Sequence, residues 1–133
     1  MHSTPPERPG ARSDEGSASV SIAIVFPAIA LLFLALAQAV MVAAAHQVAL
    51  AAAEDGLRLA RAHHGALVGG RTAAIAFARQ EPVLLAPRAA VAGTTVITVT
   101  VRGRAPSLLP GVHLAVAATA RGAREVFTTE HTP

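Results

Sequence analysis

Residues 22–42 read IAIVFPAIALLFLALAQAVMV, and no other stretch constrains the chain so strongly. Twelve of these 21 residues are Ile, Leu, Val or Phe, and none carries a formal charge. At roughly −0.3 to −0.6 kcal/mol for each large apolar residue on the insertion scale, they favour the bilayer by on the order of 5 kcal/mol. The opposing features are one uncharged amide, Gln38, and Pro27. Pro27 is a candidate helix kink, and it lies near the start of the run. There the hydrogen bond it removes from the Ala23 carbonyl can be made good by the Ser19 or Ser21 hydroxyl or by a local bend. At 1.5 Å per residue the run spans about 31 Å, the thickness of the hydrocarbon layer. A transmembrane helix is therefore expected, over residues 17–45 once its small-residue margins are included.

Working outward, the uncharged window is wider than the apolar run: no formally charged side chain occurs between Gly16 and Ala53. The chain of 133 residues is 53% hydrophobic but only 14% charged, against about 25% charged for an average soluble domain. The shortage is confined to this window, because the rest of the chain has close to ordinary charge. On the N-terminal side, residues 1–15 (MHSTPPERPGARSDE) hold three Pro and five charged residues without a large aliphatic or aromatic side chain. Such a segment cannot bury enough to fold, so residues 1–16 read as a disordered leader.

On the C-terminal side the helical pattern continues. Leu50, Ala53, Leu57, Ala60 and His64 fall on one stripe, while Glu54, Asp55, Arg58 and Arg61 take the other faces. Glu54 and Arg58 stand at i, i+4 in the favourable order. An extramembrane continuation is expected over residues 46–65, ended by Gly65 and by Gly69-Gly70. The stripe, narrow and mostly small, suits packing against the protein's own distal part. A second short helix is expected over residues 71–80, stopped before Glu81-Pro82. Residues 94–102 (TTVITVTVR) alternate and are β-branched, with Ile97, Val99 and Val101 on one face. A connector over 103–111 leads to a second alternating run with Val112, Leu114, Val116, Ala118 and Ala120 on a face. These two runs predict an antiparallel hairpin, and residues 125–129 could add a short strand. The expected fold is thus an α+β membrane protein. It has a long N-terminal helix, transmembrane in its lower half, and a small extracytoplasmic α+β region over residues 66–133 made of one short helix and a β-hairpin. With only Phe77 and Phe127 as aromatic bulk, that region should be marginal alone.

Several function classes are disfavoured. All 11 basic residues are Arg, spread from Arg8 to Arg124, and only four Phe accompany them, so no stacking basic platform for nucleic acid is formed. The absence of Cys removes disulfides, zinc ribbons and thiol nucleophiles. His63-His64 with His46 or His113 make a poor metal site, because adjacent helical residues point about 100° apart and no acidic partner stands at i±4 from both. Neither a nucleophile elbow, nor a Gly-rich phosphate loop, nor HExxH occurs. No catalytic residue, metal or cofactor is expected. Gln38, flanked by Ala35, Ala37 and Ala39, is a candidate for helix-to-helix packing in the membrane.

Three explanations account for a polar leader followed by an apolar helix. A cleaved secretory signal would want a basic n-region and an apolar run of 7 to 15 residues, whereas this leader is net negative with Asp14 and Glu15 against the apolar edge. An ordinary signal anchor is the second. The third rests on the junction, Asp14-Glu15-Gly16-Ser17-Ala18-Ser19-Val20-Ser21-Ile22-Ala23-Ile24-Val25-Phe26-Pro27, together with Ala52-Ala53-Glu54-Asp55-Gly56-Leu57-Arg58 after the span. In spacing and composition this resembles the TadE-like family of the tight-adherence (Tad/Flp) pilus assembly systems, prepilin-like proteins with one span. The likeness covers residues 14 to 60 or so.

The resemblance implies cleavage by prepilin peptidase after Gly16, leaving Ser17 as the new N-terminus. The family's usual Glu, fifth after the cut, falls on Ser21, the candidate assembly position. A hydroxyl there cannot supply the carboxylate-to-ammonium contact of pilin-type filaments. It further implies a pseudopilin-class structural component with the bilayer, pilin-like or Tad assembly proteins and prepilin peptidase as partners. The leader would lie inside the cell and the region beyond the span on the extracytoplasmic side of the cytoplasmic membrane. Arginine counts do not decide orientation, with Arg8 and Arg12 before the span and Arg58, Arg61 and Arg71 after it. The alternative is a signal-anchored extracytoplasmic binding module unrelated to pili, pairing a strand edge with a partner.

Overall fold

The computed structural model describes residues 1–2, 13–62 and 66–124. Its elements are two helices and a three-stranded sheet: α1 (Ser13–Arg61), α2 (Leu67–Gln80), β1 (Leu85–Ala92), β2 (Val96–Ala105) and β3 (Leu114–Ala123). The chain is α+β, and it divides into two compact units, residues 1–36 and 37–133, with α1 contributing to both.

In the first unit α1 is continuous through Pro27. Nearly all of its large apolar side chains from Val20 on, among them Ile22, Phe26, Leu31 and Phe33, are exposed. This is the one helix long and apolar enough to cross a membrane among the described residues.

The second unit is built on the remainder of α1. Ala45, Ala49, Ala52, Ala53, Leu57 and Ala60 are buried and form one helical face. Nearly all are alanine, so α2 and the sheet can approach the helix backbone closely. The approach is tightest at Gly56: a Cβ there would lie 2.6 Å from the Gly70 carbonyl oxygen and 2.8 Å from Ala74 Cβ. Gly70, Ala74 and Ala78, spaced four apart, are the buried residues of α2.

The sheet has order β1-β2-β3 and is antiparallel throughout. Ile97, Val99 and Val101 of the central strand are the largest fully buried side chains, flanked by Ala89, Val116, Ala118 and Ala120. Strand alternation therefore places one sheet face on the helices and turns the other outward. Gly93, at φ +112°, supports the turn from β1 to β2.

Four expectations need correction. The predicted hairpin is two thirds of a larger sheet, since β1 (LAPRAAVA) pairs with β2 in a register that includes Ala89↔Val101 and Val91↔Val99. Ala, Pro and Arg give that segment little strand signal. Pro87 is tolerated because β1 is an edge strand and lies at an irregularity between Leu85 and Arg88, next to Ala86 at φ 49°. Second, Gly69-Gly70 does not terminate a helix: α1 ends at Arg61, and both glycines belong to α2, which begins at Leu67. Third, Arg58 approaches Asp55 (3.8 Å) rather than Glu54. The strand over 94–102 is shifted to Val96–Ala105. Leader residues 3–12, His63, His64 and the short strand over 125–129 lie outside the described residues.

Candidate functional site

The residues singled out from the sequence all lie on α1. Gly16 and Ser17 are in its first turns, and the helix already begins at Ser13, ahead of the candidate cleavage position. Ser21 and Pro27 are exposed on its surface. They lie along one helix.

Gln38 makes two hydrogen bonds inside the second unit. Its Nε2 donates to the Pro106 carbonyl (3.0 Å), and its Oε1 accepts from the Leu108 amide (2.8 Å). Both ends of the amide thus hold the β2–β3 connection. Within that connection Ser107 Oγ accepts from the Leu109 amide (3.2 Å), so the turn is closed on itself as well.

A second tie lies at the other end of the unit, where Arg61 Nε donates to the Ala123 carbonyl (2.7 Å). Gly122 leaves room for this side chain, since a Cβ there would meet Arg61 Cδ at 2.9 Å. Helix residues 38 and 61 are about 35 Å apart at 1.5 Å per residue. From Pro106 back along β2 to Thr95, whose carbonyl accepts from the Arg124 amide, is about 36 Å at 3.3 Å per residue. The matching lengths mean that the strands run alongside the helix, with the β2–β3 connection at the Gln38 end.

The outward sheet face has a composition that sequence reading passed over. Arg88, Arg102, Arg104 and Arg121 all project from it and are exposed. Arg88 sits directly opposite Arg102 in the register, a like-charge pairing that is destabilising in itself. Neighbouring Thr100 and Thr119 hydroxyls bond one another at 3.0 Å. No acidic residue occurs anywhere between Pro82 and Arg124 to compensate. The signal was available as five Arg without one Asp or Glu over that stretch, but only the register brings Arg88, Arg102 and Arg104 together. These three line a shallow recess of about 400 Å³ with Ala86 and Gly103. It sits toward the Gln38 end of the sheet.

The β2–β3 connection also carries exposed Leu108, Leu109 and Val112. Among the described residues no group of three His, Asp or Glu side chains is placed to hold a metal ion. Comparison with protein-family models, with curated proteins and with solved structures finds no match.

Proposed function

We propose that the chain is a single-span protein of the cytoplasmic membrane. Its role is that of a TadE-like, pseudopilin-class structural component of pilus assembly or an allied secretion system, acting through helix packing and carrying no chemistry of its own. The supporting observation is the contrast along α1. Residues 20–36 expose apolar side chains all round, whereas residues 45–60 bury a single face against an α+β unit. A helix apolar on every side and uncovered by protein calls for lipid or other apolar helices around it. The junction at Gly16-Ser17 and the Ala52-to-Arg58 segment supply the family resemblance. In this reading the leader faces the cytoplasm, where prepilin peptidase acts, and the α+β unit is extracytoplasmic.

Alkaline carbonate extraction of membranes tests the anchor: the chain should stay in the pellet. Mass spectrometry of the same fraction tests the class. A mature chain beginning at Ser17 is the expected result. Residues 1–16 found intact in cells with an active prepilin peptidase would overturn the pseudopilin assignment. The signal-anchored binding module would then be the better reading, with a partner strand adding to the outer edge of β1 or β3, each paired on one side among the described residues.

A further inference from the structure

We infer that the Gln38 end of the α+β unit is a second membrane contact, in which the β2–β3 connection enters the bilayer interface and Arg88, Arg102 and Arg104 bind the phosphates of anionic lipid headgroups. The inference rests on the anchor reading given above and adds a site to it.

The clamp carries the argument. Gln38 lies inside the apolar run, four residues before its end at Val42, so it stands about 6 Å within the hydrocarbon boundary if the run fills the bilayer. The connection bonded to it at Pro106 and Leu108 is held at the same depth. A polar loop could not occupy that place, but this one presents Leu108, Leu109 and Val112 with 45%, 42% and 39% of their surface exposed. Burial of 5 to 10 Å into the boundary between headgroups and acyl chains is the ordinary depth of interfacial anchors. The clamp and the turn closed by Ser107 satisfy much of the loop's polar backbone on the way in.

The arginines fall at the height that headgroups require. Arg104 is two residues along β2 from Pro106, about 7 Å, which brings it to the hydrocarbon boundary. Arg102, and Arg88 opposite it, are about 13 Å from Pro106, within a headgroup layer some 5 to 7 Å deep on each side. An anion between Arg88 and Arg102 also removes the cost of their pairing, and a guanidinium suits phosphate bidentately. Arg121 pairs with Thr98 near the opposite end of the sheet and takes no part.

The test uses the full chain in vesicles, and its lack of Cys allows single labels. An environment-sensitive fluorophore is attached at Leu109→Cys and, as a distal control, at Thr95→Cys. Vesicles are pure phosphatidylcholine or phosphatidylcholine with phosphatidylglycerol, with and without a lipid-borne quencher. The Leu109 label should be quenched from within the bilayer and the Thr95 label should not. The ratio of inserted to exposed label should be higher with phosphatidylglycerol. It should fall on the order of fivefold for each arginine replaced in Arg88→Gln, Arg102→Gln and Arg104→Gln. A Leu109 label as aqueous as that at Thr95 would overturn the contact. So would one shielded from water yet untouched by the lipid quencher, which would signal a protein partner. Equal insertion in both lipids, unchanged by the arginine replacements, would overturn the headgroup site. Failure of the chain to float with vesicles would refute the anchor itself, an outcome separate from the other three.

Discussion

Replacing Gly56 by Ala should destabilise the α+β unit, although helix propensity alone predicts the reverse. In a helix interior Gly→Ala is worth about 1 kcal/mol in favour of folding. At Gly56, however, the new methyl would lie 2.6 Å from the Gly70 carbonyl oxygen and 2.8 Å from Ala74 Cβ, where ordinary contact begins at 3.4 Å. Both atoms are fixed to the α2 backbone, so no side chain can swing aside; the two helices must separate by about 0.8 Å instead. Overpacking of this kind costs about 1–3 kcal/mol, and the rigidity of the neighbours puts it toward the upper end. The net loss should be about 1–2 kcal/mol, at roughly 4–8 °C of melting temperature per kcal/mol for a unit of this size. Gly69→Ala is the matched control: a Cβ there meets nothing within 4 Å, so propensity should act unopposed and raise the melting temperature. Scanning calorimetry of the full chain in detergent micelles reads both. If Gly56→Ala shifts the transition in the same direction as Gly69→Ala, the helix crossing at Gly56 is wrong.

Three further perturbations probe other parts. Ile97→Ala empties a fully buried position near the start of β2 and should cost about 2–5 kcal/mol, measured as a lower urea midpoint; a loss under 1 kcal/mol would contradict the placement of the core. Gln38→Leu removes two hydrogen bonds worth about 0.5–1.5 kcal/mol each and should speed hydrogen exchange at the Leu108 amide while amides of β2 stay protected. Unchanged exchange at Leu108 would mean that the clamp does not hold the loop. Under the pseudopilin proposal, Ser21→Glu should leave membrane insertion intact and increase crosslinking to pilin-like partners; insertion lost, or crosslinking unaltered, would count against the role given to that position.

The parts of the fold legible in the sequence are those fixed by near neighbours. The long helix follows from unbroken apolar composition and then a stripe at helical spacing, and the stripe residues Ala53, Leu57 and Ala60 are buried. The face of β2 that holds the core, Ile97, Val99 and Val101, follows from alternation of β-branched residues. What escaped depends on distance along the chain. β1 is a strand because β2 supplies its hydrogen bonds, and its own residues lean elsewhere. Gly69-Gly70 looks like a break, since a glycine selected for close approach and one selected to end a helix are the same letter. The partners of Gln38 lie 68 and 70 residues away. The arginine face appears only when the register sets Arg88 against Arg102.

The position of Gln38 explains how one helix serves two surroundings. Along residues 20–36 α1 exposes apolar side chains on all sides, and along residues 45–60 it buries a single alanine-rich face. Between them the helix must pass from one regime to the other, and an amide there would be costly without partners. It is not without partners, because a turn that ends one strand and begins the next offers a free carbonyl at Pro106 and a free amide at Leu108, groups that the ladder cannot satisfy. The single polar residue of the apolar run and the unsatisfied backbone of the longest sheet connection thus resolve each other's deficit. The strand pair is pinned at the level where the helix changes its surroundings. Alanine supplies most of the helix face and constrains sliding less than large interlocking side chains would, so this amide at one end and Arg61 at the other add directional ties that fix the height of the sheet along α1.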